Sequence, residues 1–384
     1  MTIAGAGPAP GAPRVALVRG RYDPAGGAER FVQGALAALR AQGAQLTIVA
    51  RQWPDHDGTA VLIDPFHIGS LWRDWAFARA ACAELAARRF DLVQSHERIA
   101  CCDVYRAGDG VHAQWLEERA RVQGPLARLA TRLSPHHRYV LAAELALFAS
   151  PTLRAVICNS DMVRGEIAAR FGTARDKLVL IRNAVDSGRF HPGLRGEMGT
   201  AVRGQLGIPA DARVMLHIGS GFERKGVRGL LRAVARAPSK PWAVVVGRDK
   251  HGARYAALAR LLGISERVRF VGGVSDVRPY HAAADAFVLA TLYDPQPNAA
   301  LEAMASGLPV VTTRKCGAAE LVAEGASGFV RDALDEAGLA EAVERLDPDT
   351  ARRMGEAARA AVAPYTPEAM AAEYVALYRR LLRR

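Results

Sequence analysis

The sequence predicts an α/β protein built from two Rossmann-like halves, and three observations carry that expectation. Short β-branched strands alternate with amphipathic helical stretches along nearly the whole chain, the order that gives parallel sheets covered by helices on both faces. Two glycine-rich loops, at residues 20–27 and 219–226, each follow a strand and precede a helix, the place where such units present a ligand-binding turn. Around residues 190–210 the patterning fades at His191-Pro192-Gly193, as a linker would. A chain of 384 residues accommodates two domains of ordinary size.

In the first half, residues 14–19 read as a strand, 28–42 as an amphipathic helix and 46–50 as the next strand. Residues 91–94 form another apolar strand, ending at Ser95-His96-Glu97. A further strand at 155–158 is followed by Asn159-Ser160-Asp161, which has the chemistry of a helix cap. The last strand of this half lies at 178–181. In the second half the strands are 214–218, 242–246, 268–271, 286–289 and 310–313, with helices between them. Residues 367–384 form an amphipathic helix whose last turns hold Arg379, Arg380, Arg383 and Arg384, cations that suit the negative end of the helix dipole. The expected organisation is a tail over 1–13, a first domain over 14–195, a second over 196–365, and a terminal helix, 366–384, crossing back to the first. Ligands of such sheets sit at the C-terminal ends of the strands, so a cleft between the halves is the expected site.

Composition narrows the classes. No apolar run approaches the roughly 18–20 residues of a membrane span. Residues 1–13 are rich in Gly, Ala and Pro, without a basic head or apolar core, and read as a floppy tail rather than a signal peptide. The five cysteines are odd in number and form no CxxC pair, so neither a disulfide framework nor a zinc site is expected, and a reducing cytoplasm fits. The net charge of +12 attracts nucleic acid, anionic membrane or phosphorylated ligands; it fits equally a general arginine excess spread over the surface. Nucleic acid is disfavoured, because the basic residues are not interleaved with aromatic stacking platforms. Neither glycine loop spells GxGxxG or a Walker motif, which removes a dehydrogenase or P-loop reading. Asp347-Pro348-Asp349 spells DxD but sits at a helix start, where an Asp caps.

Four constellations could carry chemistry. In the second half, Asp294 lies in a Pro-rich loop and Glu302 eight residues on, inside the next helix, which Gly307-Leu308-Pro309 ends. The first N–H groups of that helix, at Asn298 and Ala299, suit a phosphate, since they are unpaired and the dipole is positive there. Upstream, Gly221 lets the backbone approach a ligand, and Arg224 and Lys225 can neutralise a diphosphate, one as a fork and the other as a point charge. In the first half, Gly26 and Gly27 precede a helix and could meet a phosphate or an acceptor; a plain tight turn explains them as well. His96, Glu97, Arg106, Asp109 and His112 cluster after one strand, and Asp109, between two glycines, could position a hydroxyl nucleophile. Finally, residues 115–150 alternate Arg119, Arg121, Arg128, Arg132 and Arg138 with Trp115, Leu116, Leu126, Leu129 and Leu133, which fits an anionic bilayer surface or a solvated helix.

These residues resemble glycosyltransferase family 4, whose members have the GT-B fold of two Rossmann-like domains facing a cleft. The resemblance covers nearly the whole chain. Asp294 and Glu302 stand where the family has an E-x7-E pair, followed by G-x-P-V; the first Glu is Asp here. Arg224 and Lys225 match the pair of cations on the donor diphosphate, and Gly26 and Gly27 the N-terminal glycine loop. The segments 95–98 and 103–112 look most like the glucosyltransferases of lipopolysaccharide core assembly. The resemblance implies a retaining hexosyl transfer from a UDP-sugar, with no metal or other cofactor, to a lipid-linked or lipopolysaccharide acceptor. It assigns catalytic work to Asp109, His112, Arg224, Lys225, Asp294 and Glu302. Substrate binding falls to Gly26, Gly27, His96, Glu97, Arg106, Gly221, Asn298 and Ala299. It also implies a cytoplasmic enzyme peripheral on the inner membrane face, with residues after Trp115 touching the lipid. A non-catalytic sugar-nucleotide or membrane-surface binding protein is the alternative reading.

Overall fold

The computed structural model describes residues 13–21, 44–53 and 60–383. The chain forms two compact units. One comprises Met1–Asn159, Val163–Ile181 and Pro367–Arg384, the other Ser160–Met162 and Arg182–Thr366. The expected tail, the helix at 28–42, and Gly26 and Gly27 lie outside the described residues.

The first unit is built on β1 (Arg14–Val18), β2 (Gln45–Ala50), β3 (Ala60–Leu62), β4 (Leu92–Ser95), β5 (Val104–Arg106), β6 (Ala155–Cys158) and β7 (Leu178–Leu180). They form one parallel sheet in the order β3-β2-β1-β4-β5-β6-β7. Val15, Ala16, Leu17 and Val18 are all buried, as strands covered on both faces must be, which is why this stretch reads as continuous apolar sequence instead of an alternating one. Strand order reverses direction between β1 and β4, where Val18 pairs with Ser95. The loops leaving these two strands are therefore neighbours, and Gly20 N–H donates to Glu97 Oε1 at 2.9 Å.

The second unit repeats the plan. Strands β8 (Val214–Ile218), β9 (Trp242–Val246), β10 (Val268–Gly272), β11 (Ala286–Val288), β12 (Val310–Thr313) and β13 (Gly328–Arg331) form a parallel sheet ordered β10-β9-β8-β11-β12-β13. Its switch point lies between β8 and β11, which are paired. The loops after these strands, 219–226 and 289–297, are the ones that carry the cations and Asp294. Two apolar clusters sandwich the sheet: one includes Leu230, Val234, Val245 and Phe329, the other Leu216, Phe287, Met304 and Val310.

Several expectations are corrected. β3, β5 and β13 were not foreseen, each being only three or four residues long. β5 places Arg106 within the sheet instead of in a loop. The chain enters the second unit at Arg182, earlier than the expected boundary after Arg195. Asn183 explains this, since its N–H donates to Gln296 Oε1 (2.6 Å) and its amide to Asn298 Oδ1 (2.9 Å), while Val185 N–H donates to the Tyr365 carbonyl. Residues 160–162 count with this unit because Glu320 accepts from the N–H groups of Asp161 and Met162. The cysteine expectation is also overturned: Cys82 and Cys101 form a disulfide across 19 residues, their Cα atoms 5.9 Å apart. The helix Gly69–Arg88 and the loop after β4 bring them together, a juxtaposition no spacing rule contains. With that bond, the cysteine argument for a reducing compartment falls away.

The helix Pro367–Leu382 packs into the first unit, burying Met370, Tyr374, Val375, Leu377, Tyr378 and Leu381. Arg106 Nε donates to Tyr374 Oη at 2.9 Å, and Tyr378 Oη donates to Gln94 Oε1. Replacing Tyr378 by Phe removes the donor from a buried acceptor. We expect a loss of about 1–3 kcal/mol in chemical denaturation of the first unit.

Candidate active site

The second unit assembles a compact group of charged residues around its switch point. After β8 the chain turns through Gly221, in a left-handed conformation (φ 77°). A single helical turn follows, Phe222–Lys225, ended by Gly226, again left-handed (φ 77°). A Cβ at Gly226 would lie 1.8 Å from the Ala290 carbonyl oxygen, so only glycine fits where this loop crosses the end of β11. The crossing is bonded as well as close. The Arg224 carbonyl accepts from Leu292 N–H (2.8 Å) and from Thr291 Oγ1 (2.7 Å). Phe222 N–H donates to Asp249 Oδ2 at 2.7 Å.

On the other side, Asp294 N–H donates to the Lys315 carbonyl and Gly317 N–H to the Asp294 carbonyl. Gly317 is needed for the same reason as Gly226, since a Cβ there would meet the Pro295 carbonyl oxygen at 1.7 Å. Held from both sides, Asp294 is only 5% exposed, and its Oδ2 accepts from Lys225 Nζ. Arg224 Nη1 stands 4.0 Å from the same oxygen. The structure thus brings Arg224, Lys225 and Asp294 together, and pairs Lys225 with a carboxylate.

The helix Asn298–Ala305 follows, its first turn free of acidic side chains. Asn183 clamps its entry through Gln296 and Asn298. Asn183 and Gln296 were missed by sequence reasoning; no spacing links two amides over a hundred positions apart. Glu302 lies one turn in, partly buried, its Oε2 3.9 Å from His281 Nε2. His281 is buried between Phe190 and Phe287. Burial pushes its pKa down to about 3, so the ring is neutral beside Glu302. His217 is likewise held to about 4 by burial, against the hydrogen bond its Nδ1 makes with the Val288 carbonyl.

In the first unit the predicted cluster divides. His96 and Arg106 are 6% and 5% exposed. Gln94 Nε2 lies 3.0 Å from His96 Nε2, and burial, with Arg106 and Arg19 nearby, holds the imidazole well below its usual pKa. This buried set ties both residues to Tyr374 and Tyr378 of the terminal helix, Arg106 directly and His96 through Gln94. Glu97 instead lines a polar cavity of about 490 Å³ with Arg21, Arg51, Arg73, Asp74 and Arg98. Asp109 is exposed. His112 begins the helix His112–Ala120; its backbone N–H donates to Glu144 Oε1 (2.7 Å) and its Nε2 meets His137 Nδ1 at 3.1 Å. Burial and the charge of Arg98 push His112 down to about 3. The Arg98–Glu144 pair (3.0 Å) that supports this loop was also missed. The capping role expected of Asp347 is observed: its Oδ1 accepts from Asp349 and Thr350 N–H at 3.1 Å.

Two parallel-sheet Rossmann-like units are the architecture of the GT-B fold. Residues 25–189 match the model of Glycosyltransferase Family 4, and residues 200–361 that of Glycosyl transferases group 1. The chain belongs to this glycosyltransferase family. The lipopolysaccharide core biosynthesis glycosyltransferase LpsE of Rhizobium meliloti is 36% identical over 52% of this chain and 55% of its own length, so that match spans about half of the relative. The lipopolysaccharide glucosyltransferase WaaG of Escherichia coli is 26% identical over 82% of this chain and 84% of its own. A crystal structure of WaaG superposes with a TM-score of 0.79, over 93% of this chain and 98% of that one. Anabaena Alr3699/HepE, solved with UDP-glucose, shares the fold at 20% identity and a TM-score of 0.72, over 96% of this chain and 100% of that one.

The neutral histidines make stability depend on pH. In the second unit His217 and His281 have folded pKa values below the roughly 6.5 of an unfolded chain, so the unfolded state binds the extra protons. Their contribution is complete above about pH 6.5 and declines as pH falls toward 4, by up to about 1.4 kcal/mol per pH unit for each ring. Thermal unfolding between pH 7 and 5 should show this decline, and His281→Phe should make it shallower.

Proposed function

We propose that this protein transfers a hexosyl group, with retention of anomeric configuration, from a UDP-sugar to a hydroxyl of a lipopolysaccharide-core or related glycan. The observation that carries the reading is the Arg224–Lys225–Asp294 site, beside the N-terminus of the helix Asn298–Ala305. Breaking the anomeric C–O bond leaves negative charge on the departing diphosphate. Arg224, Lys225 and the N–H groups of Asn298 and Ala299 are the groups suited to meet that charge as it develops, the largest electrostatic task of the reaction. Gly221 gives the backbone room for the diphosphate. Glu302 would accept from the ribose hydroxyls, and Asp294 from a hydroxyl of the donor sugar once Lys225 turns to phosphate. In the first unit, Asp109 and the neutral His112 would orient the acceptor, with Glu97 at the mouth of its cavity. The departing phosphate oxygen can itself take the acceptor proton, so the reading requires no strong protein base and no metal. The relatives LpsE and WaaG, both named for lipopolysaccharide work, support this choice of acceptor.

The same reading places the protein at the inner face of the cytoplasmic membrane. Among the described residues no helix is long and apolar enough to cross a bilayer. The helix Pro125–Leu133, however, leaves Leu126, Leu129 and Leu133 exposed at 84%, 53% and 61%. That stripe, flanked by Arg128 and Arg132, has the amphipathic form that lies in an anionic lipid interface.

Lys225→Ala and Glu302→Ala should each lower UDP release from UDP-glucose plus acceptor by roughly two orders of magnitude. Near-wild-type transfer by both would remove the donor-site assignment. Stabilisation by UDP-glucose without any turnover would instead favour a sugar-nucleotide binding protein. For the membrane, co-sedimentation with vesicles containing anionic lipid should fall about tenfold in a Leu126→Ser, Leu129→Ser, Leu133→Ser variant. Vesicles of neutral lipid should capture neither protein.

A further inference from the structure

The polar cavity of the first unit has an apolar neighbour. A second recess, of about 540 Å³, runs between the helix Gly69–Arg88 and the helix Pro135–Phe148. Ala78, Arg98, Ile99, Tyr139 and Ala143 line both recesses, so the two are continuous along one wall. Beyond that wall the characters diverge. The cavity presents four guanidinium groups and two carboxylates. The groove presents Trp75, Ala142 and Ala146, with the disulfide-bonded Cys82 on its wall.

The groove exists because alanines at 142, 143 and 146 stand on one helix where larger side chains would close the gap to the other. Ile99 is buried beneath it. The Trp75 indole lies half-exposed, with the Arg79 guanidinium 5.1 Å from its ring centre. An indole capped by a cation, apolar on one side and wet on the other, suits a lipid–water boundary. In the cavity, Arg73 bonds Asp74 (2.7 Å) and Arg51 bonds Asp64 (2.9 Å). A guanidinium has five N–H donors, so each arginine keeps donors for a hydroxyl or phosphate oxygen.

We propose that cavity and groove form one receptor for an amphiphile, with the polar head in the cavity and a single hydrocarbon chain along the groove. The inference deepens, and rests on, the acceptor half of the transferase reading. The acceptor is then held by its lipid chain as well as by its glycan, and a water-soluble glycan lacking the chain is the poorer ligand.

Alkyl glucosides and alkyl phosphates with four to ten carbons, each kept below its micelle concentration, test this by calorimetry and by the emission of Trp75. Lengthening the chain from four to eight carbons should tighten binding tenfold or more, and the head that binds more tightly identifies the cavity's preference. Ala142→Leu with Ala146→Leu should erase the dependence on chain length while leaving the four-carbon compounds unaffected. A flat series in the wild type overturns the proposal, as does a series that stays steep in the filled variant, which would put the chain elsewhere. Thermal stabilisation by UDP-glucose is measured alongside. Its presence with a flat series removes the groove alone; its absence with a steep series removes the transferase reading and leaves a lipid-binding receptor.

Discussion

The second unit depends on a crossing of backbones at the end of β11. The Gly226 turn lies against the Ala290 carbonyl from one side, and Gly317 against Pro295 from the other. Between these contacts the segment 290–297 is pinned by its own bonds: Leu292 N–H and Thr291 Oγ1 donate to the Arg224 carbonyl, Asp294 N–H donates to the Lys315 carbonyl, and the Asp294 carbonyl accepts from Gly317 N–H. That confinement sets Asp294 beside Lys225, aims the segment into the helix Asn298–Ala305 and so fixes where Glu302 stands. A side chain at either glycine would have to move a main chain, not another side chain, which is the costlier displacement. The site is therefore shaped by the sheet's topology first and by its charged residues second.

The first unit follows the same topological rule with a different filling. The loops after β1 and β4 meet at their switch point, as those after β8 and β11 do in the second. Where the second unit holds an ion pair over a helix N-terminus, the first holds Glu97 at the edge of an arginine-lined cavity. Beneath it Gln94 and Arg106 are bonded to Tyr378 and Tyr374 of the terminal helix, so that helix acts as part of the sheet's covering layer.

Much of this was legible in sequence, for identifiable reasons. Strand β9 and β1 after Arg14 are uninterrupted apolar runs, and β8 is broken only by the buried His217; a parallel sheet buried on both faces demands such runs. The 219–226 loop, the cations at 224 and 225 and the carboxylates at 294 and 302 announced themselves by local chemistry. What stayed hidden was either short or non-local. β5 is three residues, one of them Arg106, so its polar member read as a loop residue. The clamp of Asn183 on Gln296 and Asn298, the Arg98–Glu144 pair and the Cys82–Cys101 bond all join positions whose nearness is created by the fold. The burial of His96 against Gln94 was hidden too, because density of polar residues in a sequence does not separate an open site from a buried network.

The Lys225–Asp294 pair has a consequence for the energetics of donor capture. On the proposed donor-site reading, an incoming diphosphate would not meet two bare cations; it would compete with the Asp294 carboxylate already seated at Lys225. Its gain would be the difference between two attractions, and the displaced carboxylate would need a new partner, which a hydroxyl of the donor sugar can supply. Mobile ions compete with the nucleotide for Arg224 far more than for Lys225, which is shielded by burial. The affinity for the nucleotide sugar should accordingly respond to ionic strength as though one cation, and not two, faced the solvent.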